Sequence, residues 1–133
     1  CQFRLALEPY MAEMVAKKKN IDPELLSSME KNVAEAREIH EAGGTSGYLD
    51  MDFHVLLAKA TANPMFIITL KTLKISFDII TTRLNKRAQA STNKYHQKIL
   101  KAIRERDPVT AKEQMYQHLL RVYRSTKNEN IIL

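Results

Sequence analysis

Apolar residues recur at helical spacing along nearly the whole chain, and no stretch alternates well enough to read as a strand. The pattern predicts six helices. The first runs from about Gln2 to Lys19, with Leu5, Leu7, Met11, Met14 and Val15 on its apolar face. Asp22-Pro23 marks a restart, aspartate as N-cap and proline at the first helical position, and the second helix continues through Met29, Val33 and Ala36 to about Ala42. The glycine-rich run 43–47 is the clearest loop. A third helix, roughly Tyr48 to Thr61, carries Leu49, Phe53, Leu56, Leu57 and Ala60, and Asn63-Pro64 resets the chain again. The fourth, from Met65 to Leu84, is apolar on more than one side, which implies burial by several neighbours or by a partner subunit. Polar residues from Gln89 to Asn93 predict a break. Helix five then carries Ile99, Leu100 and Ile103 to about Arg106, and Asp107-Pro108 opens helix six with Ala111, Met115, Leu119 and Val122. The tail from Lys127 is expected to fray. Loops this short make successive helices antiparallel neighbours, so the expected fold is an all-α antiparallel bundle.

Composition agrees with one helical domain. The chain has 133 residues, 44% hydrophobic and 27% charged, with 3 glycines and 4 prolines, a mix that favours helix and argues against disorder. The single cysteine, Cys1, cannot form an internal disulfide and points to a reducing compartment, so a cytoplasmic location is expected. The most apolar stretch, Met65 to Leu73, is interrupted by Lys71 and too short to span a bilayer, so no membrane partner is expected. A start at Cys1 rather than methionine suggests a piece of a longer chain. The net charge of +6 is spread over every segment, and no zinc-finger spacing or aromatic-and-basic RNA motif is present, so direct nucleic-acid binding by this segment is not expected. Lys17, Lys18 and Lys19 suit the negative end of a helix dipole.

Histidines change the picture. His96 precedes Ile99, Leu100 and Ile103 at i+3, i+4 and i+7, and His118 follows Met115 and Ala111 at i+3 and i+7, so both imidazoles face the bundle interior. His54 lies on the apolar stripe of helix three, and Asp50 one turn earlier points the same way. A lone histidine on an apolar face is usually a satisfied core residue. Three of them with an acid at i−4 read instead as one metal site, with ligands Asp50, His54, His96 and His118. Three imidazoles and one carboxylate suit Zn²⁺, Ni²⁺, Mn²⁺ or Fe²⁺, with zinc the leading expectation. His40, beside Glu41 and the glycine loop, reads as a surface cap residue. Rival motifs are absent: there is no H-E-x-x-H, no Glu-x-x-His pair for a di-iron bundle, no phosphate loop and no G-x-S-x-G elbow.

The stretches Arg4 to Glu8, Asp50 to His54, Ala62-Asn63-Pro64, His96 to Ile103 with Asp107, and Ala111 with Met115 to Leu119 together resemble the FCD domain, the C-terminal effector domain of FadR-subfamily GntR transcriptional regulators. The likeness spans nearly the whole chain, read as one ligand-binding and dimerisation domain over 1–133. It implies a bundle of six or seven helices, a divalent metal held by Asp50, His54, His96 and His118, a small organic-acid effector beside it, a homodimer, and operator DNA contacted only through an N-terminal winged helix-turn-helix absent from this sequence. Arg4, in the R-x-x-x-E stretch, is the first candidate to hold the far end of the anion, and Arg83 is a second. The alternative for Arg4 is an ion pair with Glu8 one turn on. Two departures stand out: Ala62 replaces the glycine often found before Asn-Pro, and Tyr95 replaces an acid often found before the third ligand.

The leading expectation is a non-enzymatic sensor of a small carboxylate or sugar acid. A metal hydrolase is the alternative, and it needs a spare general base, for which Asp52 is the only nearby candidate. A metal used only for folding, with function confined to dimerisation, is the third reading.

Overall fold

The computed structural model describes the backbone of residues 2–83 and 86–128, and the side chains of 2–77 and 87–125. Among the described residues there are six helices and no strand: α1 (Gln2–Lys17), α2 (Pro23–Glu41), α3 (Gly47–Ala60), α4 (Pro64–Arg83), α5 (Lys86–Arg104) and α6 (Pro108–Asn128).

Proline starts and aspartate or asparagine caps set the boundaries. Asp22 accepts a hydrogen bond from the Glu24 amide at 2.9 Å, Asn63 from the Met65 amide at 3.0 Å, and Asp107 from the Thr110 amide at 3.0 Å. Each cap satisfies an amide that the first helical turn leaves without a partner, and each precedes a proline that needs none. The residues ahead of the last two caps, Ala62 and Arg106, are left-handed, with φ of 58° and 55°. A left-handed residue turns the chain sharply after a helix, which is why glycine is favoured there.

One expectation fails. The polar run Gln89 to Asn93 is not a break but lies within α5. Gln89, Thr92 and Asn93 are buried, and two of them bond inward: Gln89 Oε1 accepts from the Ser46 amide at 2.8 Å, and Asn93 Nδ2 donates to the Val33 carbonyl at 3.2 Å. These polar groups face an interior that uses them, so polarity here does not mark a loop.

Helix α1 packs along α6, α6 along α5, α5 along α2, α2 along α3, and α3 along α4. The main core gathers Ala12, Val15, Met29, Phe53, Leu57, Ile99, Ile103, Met115 and Leu119, and a second cluster of Met11, Met51, Val55, Leu70 and Phe77 joins α1, α3 and α4. Among the described residues α4 packs chiefly on α3, with Met11 of α1 joining Leu70 and Phe77, and Met65, Ile68 and Ile75 are exposed. No helix among the described residues is long and apolar enough to cross a membrane.

Candidate metal centre

Each histidine arrives from a different helix, His54 on α3, His96 on α5 and His118 on α6, and Asp50 sits one turn before His54. Their Nε2 atoms form a near-equilateral triangle: His54 to His96 3.1 Å, His54 to His118 3.2 Å and His96 to His118 3.2 Å. Asp50 Oδ1 lies 3.2 Å from His96 Nε2 and 3.6 Å from His54 Nε2. The four donor atoms are all within 4.8 Å of one another. Burial is near complete, at 8% exposure for Asp50 and 2% or less for the histidines.

Packing orients the rings. Phe53 stacks on His96 with centroids 4.1 Å apart and planes 11° from parallel, and His54 stacks on His118 at 5.2 Å and 19°. His54 is further held from α1, where Glu8 Oε1 accepts its Nδ1–H, and Glu8 in turn accepts from Arg4. The Arg4–Glu8 pair is the ion pair that the i, i+4 spacing allows, but the Glu8–His54 contact spans 46 residues and leaves no periodic trace in the sequence.

The electrostatics suit a cation. Burial alone raises the pKa of the Asp50 carboxyl, yet the His54 and His96 rings beside it outweigh that and hold it well below the usual carboxylate range. Burial pushes His96 and His118 down, the latter well down with help from the neighbouring rings, so both are neutral and keep a lone pair for coordination. For His54, burial acts downward but the Glu8 carboxylate wins and the pKa is raised. Asp50 Oδ1 is buried and accepts no hydrogen bond despite its two ring neighbours. A buried acceptor without a donor is costly unless something positive meets it. Three nitrogens 3.1–3.2 Å apart are also spaced as ligands about 2.0–2.1 Å from one common centre would be. The donor set therefore fits a divalent ion.

Next to Asp50 and His96 lies a cavity of about 10 Å³, lined also by Asn32, Gln89, Thr92 and Asn93, with room for about one water. Arg4 does not line it; its guanidinium is taken by Glu8 and lies over the Phe77 ring at 4.7 Å. The side chain of Arg83 lies outside the described residues. Asp52 points away from the cluster, as its spacing predicts, and pairs with Lys74 at 3.0 Å. His40 stands apart at the end of α2, half-buried rather than a free cap, with Nε2 2.7 Å from Ser46 Oγ and its pKa lowered by burial.

Residues 1–121 match the FCD domain family. The chain belongs to that family. It is 30% identical over 116 residues to the "Uncharacterized HTH-type transcriptional regulator YcbG" of Bacillus subtilis (strain 168), a match covering 87% of this chain and 48% of that protein. Its fold is similar to that of the solved structure of Streptococcus agalactiae GntR, with a TM-score of 0.79 and 34% identity over 93% of this chain and 56% of that one. The chain thus spans about half the length of each relative.

Proposed function

We propose that this chain is the effector-sensing domain of a GntR-family transcriptional regulator of the FadR subfamily, with residues 1–133 forming one ligand-binding and dimerisation unit. Asp50, His54, His96 and His118 hold a divalent ion, zinc first among Zn²⁺, Ni²⁺, Mn²⁺ and Fe²⁺. The observation that carries the reading is the buried triangle of three Nε2 atoms closed by a carboxylate oxygen that accepts no hydrogen bond. When bound, such an ion offers a Lewis-acidic position to a carboxylate oxygen of a small organic or sugar acid.

The acid would enter beside Asp50 and His96, where Asn32, Gln89, Thr92 and Asn93 supply neutral hydrogen-bonding groups. Since the cavity holds about one water, binding requires α2 and α5 to part there. That movement is a means by which effector affinity can differ between two states, the condition for any switch. Arg4 would join the effector only by exchanging Glu8 for it, and Arg83 remains the second candidate for that anion. The exposed apolar residues of α4, Met65, Ile68 and Ile75, support a homodimer. Operator DNA would be contacted by an N-terminal domain outside this sequence, in a cytoplasmic protein.

Thermal unfolding with a panel of organic acids, with and without chelator, tests the proposal. Zinc at about 100 times its Kd raises stability by about 2.7 kcal/mol, and the effector adds a further shift that chelator abolishes. If no acid stabilises the zinc-loaded protein, the sensor reading fails. The small cavity favours, in that event, an ion that serves folding alone.

A further inference from the structure

Pro9 sits inside α1, and proline has no N–H to donate to the carbonyl four residues earlier. The backbone ladder therefore lacks its Pro9-to-Leu5 rung, and the segment ahead of Pro9 depends more on side chains for its attachment. Besides the apolar packing of Leu5 and Leu7, part of that attachment is ionic and buried. Arg4 Nε donates to Glu8 Oε2, Arg4 Nη2 reaches Glu8 Oε1 at 3.5 Å, and the same Oε1 accepts the Nδ1–H of His54. Exposure is 2% for Arg4 and 0% for Glu8 and His54.

An ionised carboxylate only accepts hydrogen bonds, so in the neutral ring His54 Nδ1 carries the proton and Nε2 is left to present its lone pair towards His96 and His118. Carboxylates placed this way fix the tautomer and ring orientation of metal-ligating histidines and raise their basicity. Resting on the metal reading above, we infer that Glu8 is the positioning residue of the metal centre, and that the Arg4–Glu8 pair couples the α1 segment 2–8 to occupancy of that centre. The buried Arg4 guanidinium reaches both carboxylate oxygens of Glu8, the arrangement of an ion pair. By linkage, whatever Glu8 adds to the centre's affinity returns as tighter attachment of residues 2–8 in the loaded protein.

The test compares the full chain with two double variants, Arg4→Met/Glu8→Leu and Arg4→Met/Glu8→Gln. Neither leaves an unpaired buried charge, the usual reason such variants fail to fold. Zinc affinity by chelator competition is expected to fall about 10–100-fold in the leucine variant, and less in the glutamine variant, whose amide oxygen still accepts from Nδ1–H. Long-range ¹H–¹⁵N spectra of the metal-free proteins, at a pH where the imidazoles are neutral, should show the Nδ1–H tautomer of His54 in the wild type and the glutamine variant only. Zinc should slow amide exchange of residues 2–8 in the wild type and not in the leucine variant. The inference is overturned if the leucine variant binds zinc within about twofold of wild type or keeps the His54 tautomer. A wild type that binds no zinc sinks the metal reading instead. The tautomer comparison in metal-free protein, at a pH where the imidazoles are neutral, then still decides the role of Glu8.

Discussion

Replacing Phe53 separates what the core does for the fold from what it does for the candidate metal centre. The ring is fully buried and lies flat on His96, so Phe53→Ala removes both a core side chain and the surface that holds a ligand. Truncating a buried phenylalanine costs about 3–5 kcal/mol. For 133 residues the entropy of unfolding at the midpoint is about 280 cal/mol/K, so each kcal/mol moves Tm by about 3.6 °C. The expected fall is about 11–18 °C in metal-free protein. Phe53→Leu retains most of the volume and loses the stack, at a cost of about 1–2 kcal/mol. Thermal unfolding by circular dichroism, paired with zinc affinity by chelator competition, reads both effects. Both variants should bind zinc more weakly than wild type, and in the leucine variant the loss appears with the fold intact. A fall in Tm of less than about 4 °C for Phe53→Ala, or wild-type zinc affinity in Phe53→Leu, would refute the reasoning.

Three further outcomes follow from the same geometry. The metal-free protein should be most stable near neutral pH. The lowered pKa values of His96 and His118 give stability that is complete above about pH 6.5 and lost as pH falls towards their folded values; the raised pKa of His54 gives stability that is complete below about pH 6.5 and lost as pH rises through its folded value. His118→Asn should flatten the acid limb of a Tm profile and His54→Asn the alkaline limb, and a monotonic wild-type profile contradicts this. Ala62→Gly relieves a left-handed alanine at φ 58° and should raise stability by about 0.5–1 kcal/mol, or about 2–4 °C in Tm; an unchanged or lower Tm argues against strain at that turn. Asp52→Asn breaks only the partly exposed pair with Lys74, so stability should change by less than about 1 kcal/mol with zinc affinity unaltered, whereas a large loss of zinc would restore Asp52 as part of the site.

Local signals read well from the sequence because their physics is local. The pairs Asp22-Pro23, Asn63-Pro64 and Asp107-Pro108 state a cap and a first helical turn within a few residues, and all three mark helix starts in the structure. The inward aim of His96 and His118 follows from their apolar neighbours at helical spacing, and the structure buries both. Gln89 to Asn93 misled because composition reports polarity but not whether the interior is polar there. The Glu8–His54 contact and the orphaned Asp50 oxygen are out of reach for a related reason: both depend on helix-to-helix approach, which no spacing within one helix encodes. Arg4 shows the same limit. Its i, i+4 partner was readable, but its complete burial and the relay through Glu8 to His54 were not.

Whether Asp50, His54, His96 and His118 hold an ion is read by metal content together with X-ray absorption, on the wild type and on Asp50→Ala, His54→Ala, His96→Ala and His118→Ala. One divalent ion per wild-type chain is expected, with nitrogen and oxygen neighbours at about 2.0–2.2 Å, and loss of that ion or a visibly altered coordination shell in each variant. A wild type that takes up no ion, or four variants whose metal content and absorption spectrum match the wild type, would contradict that expectation.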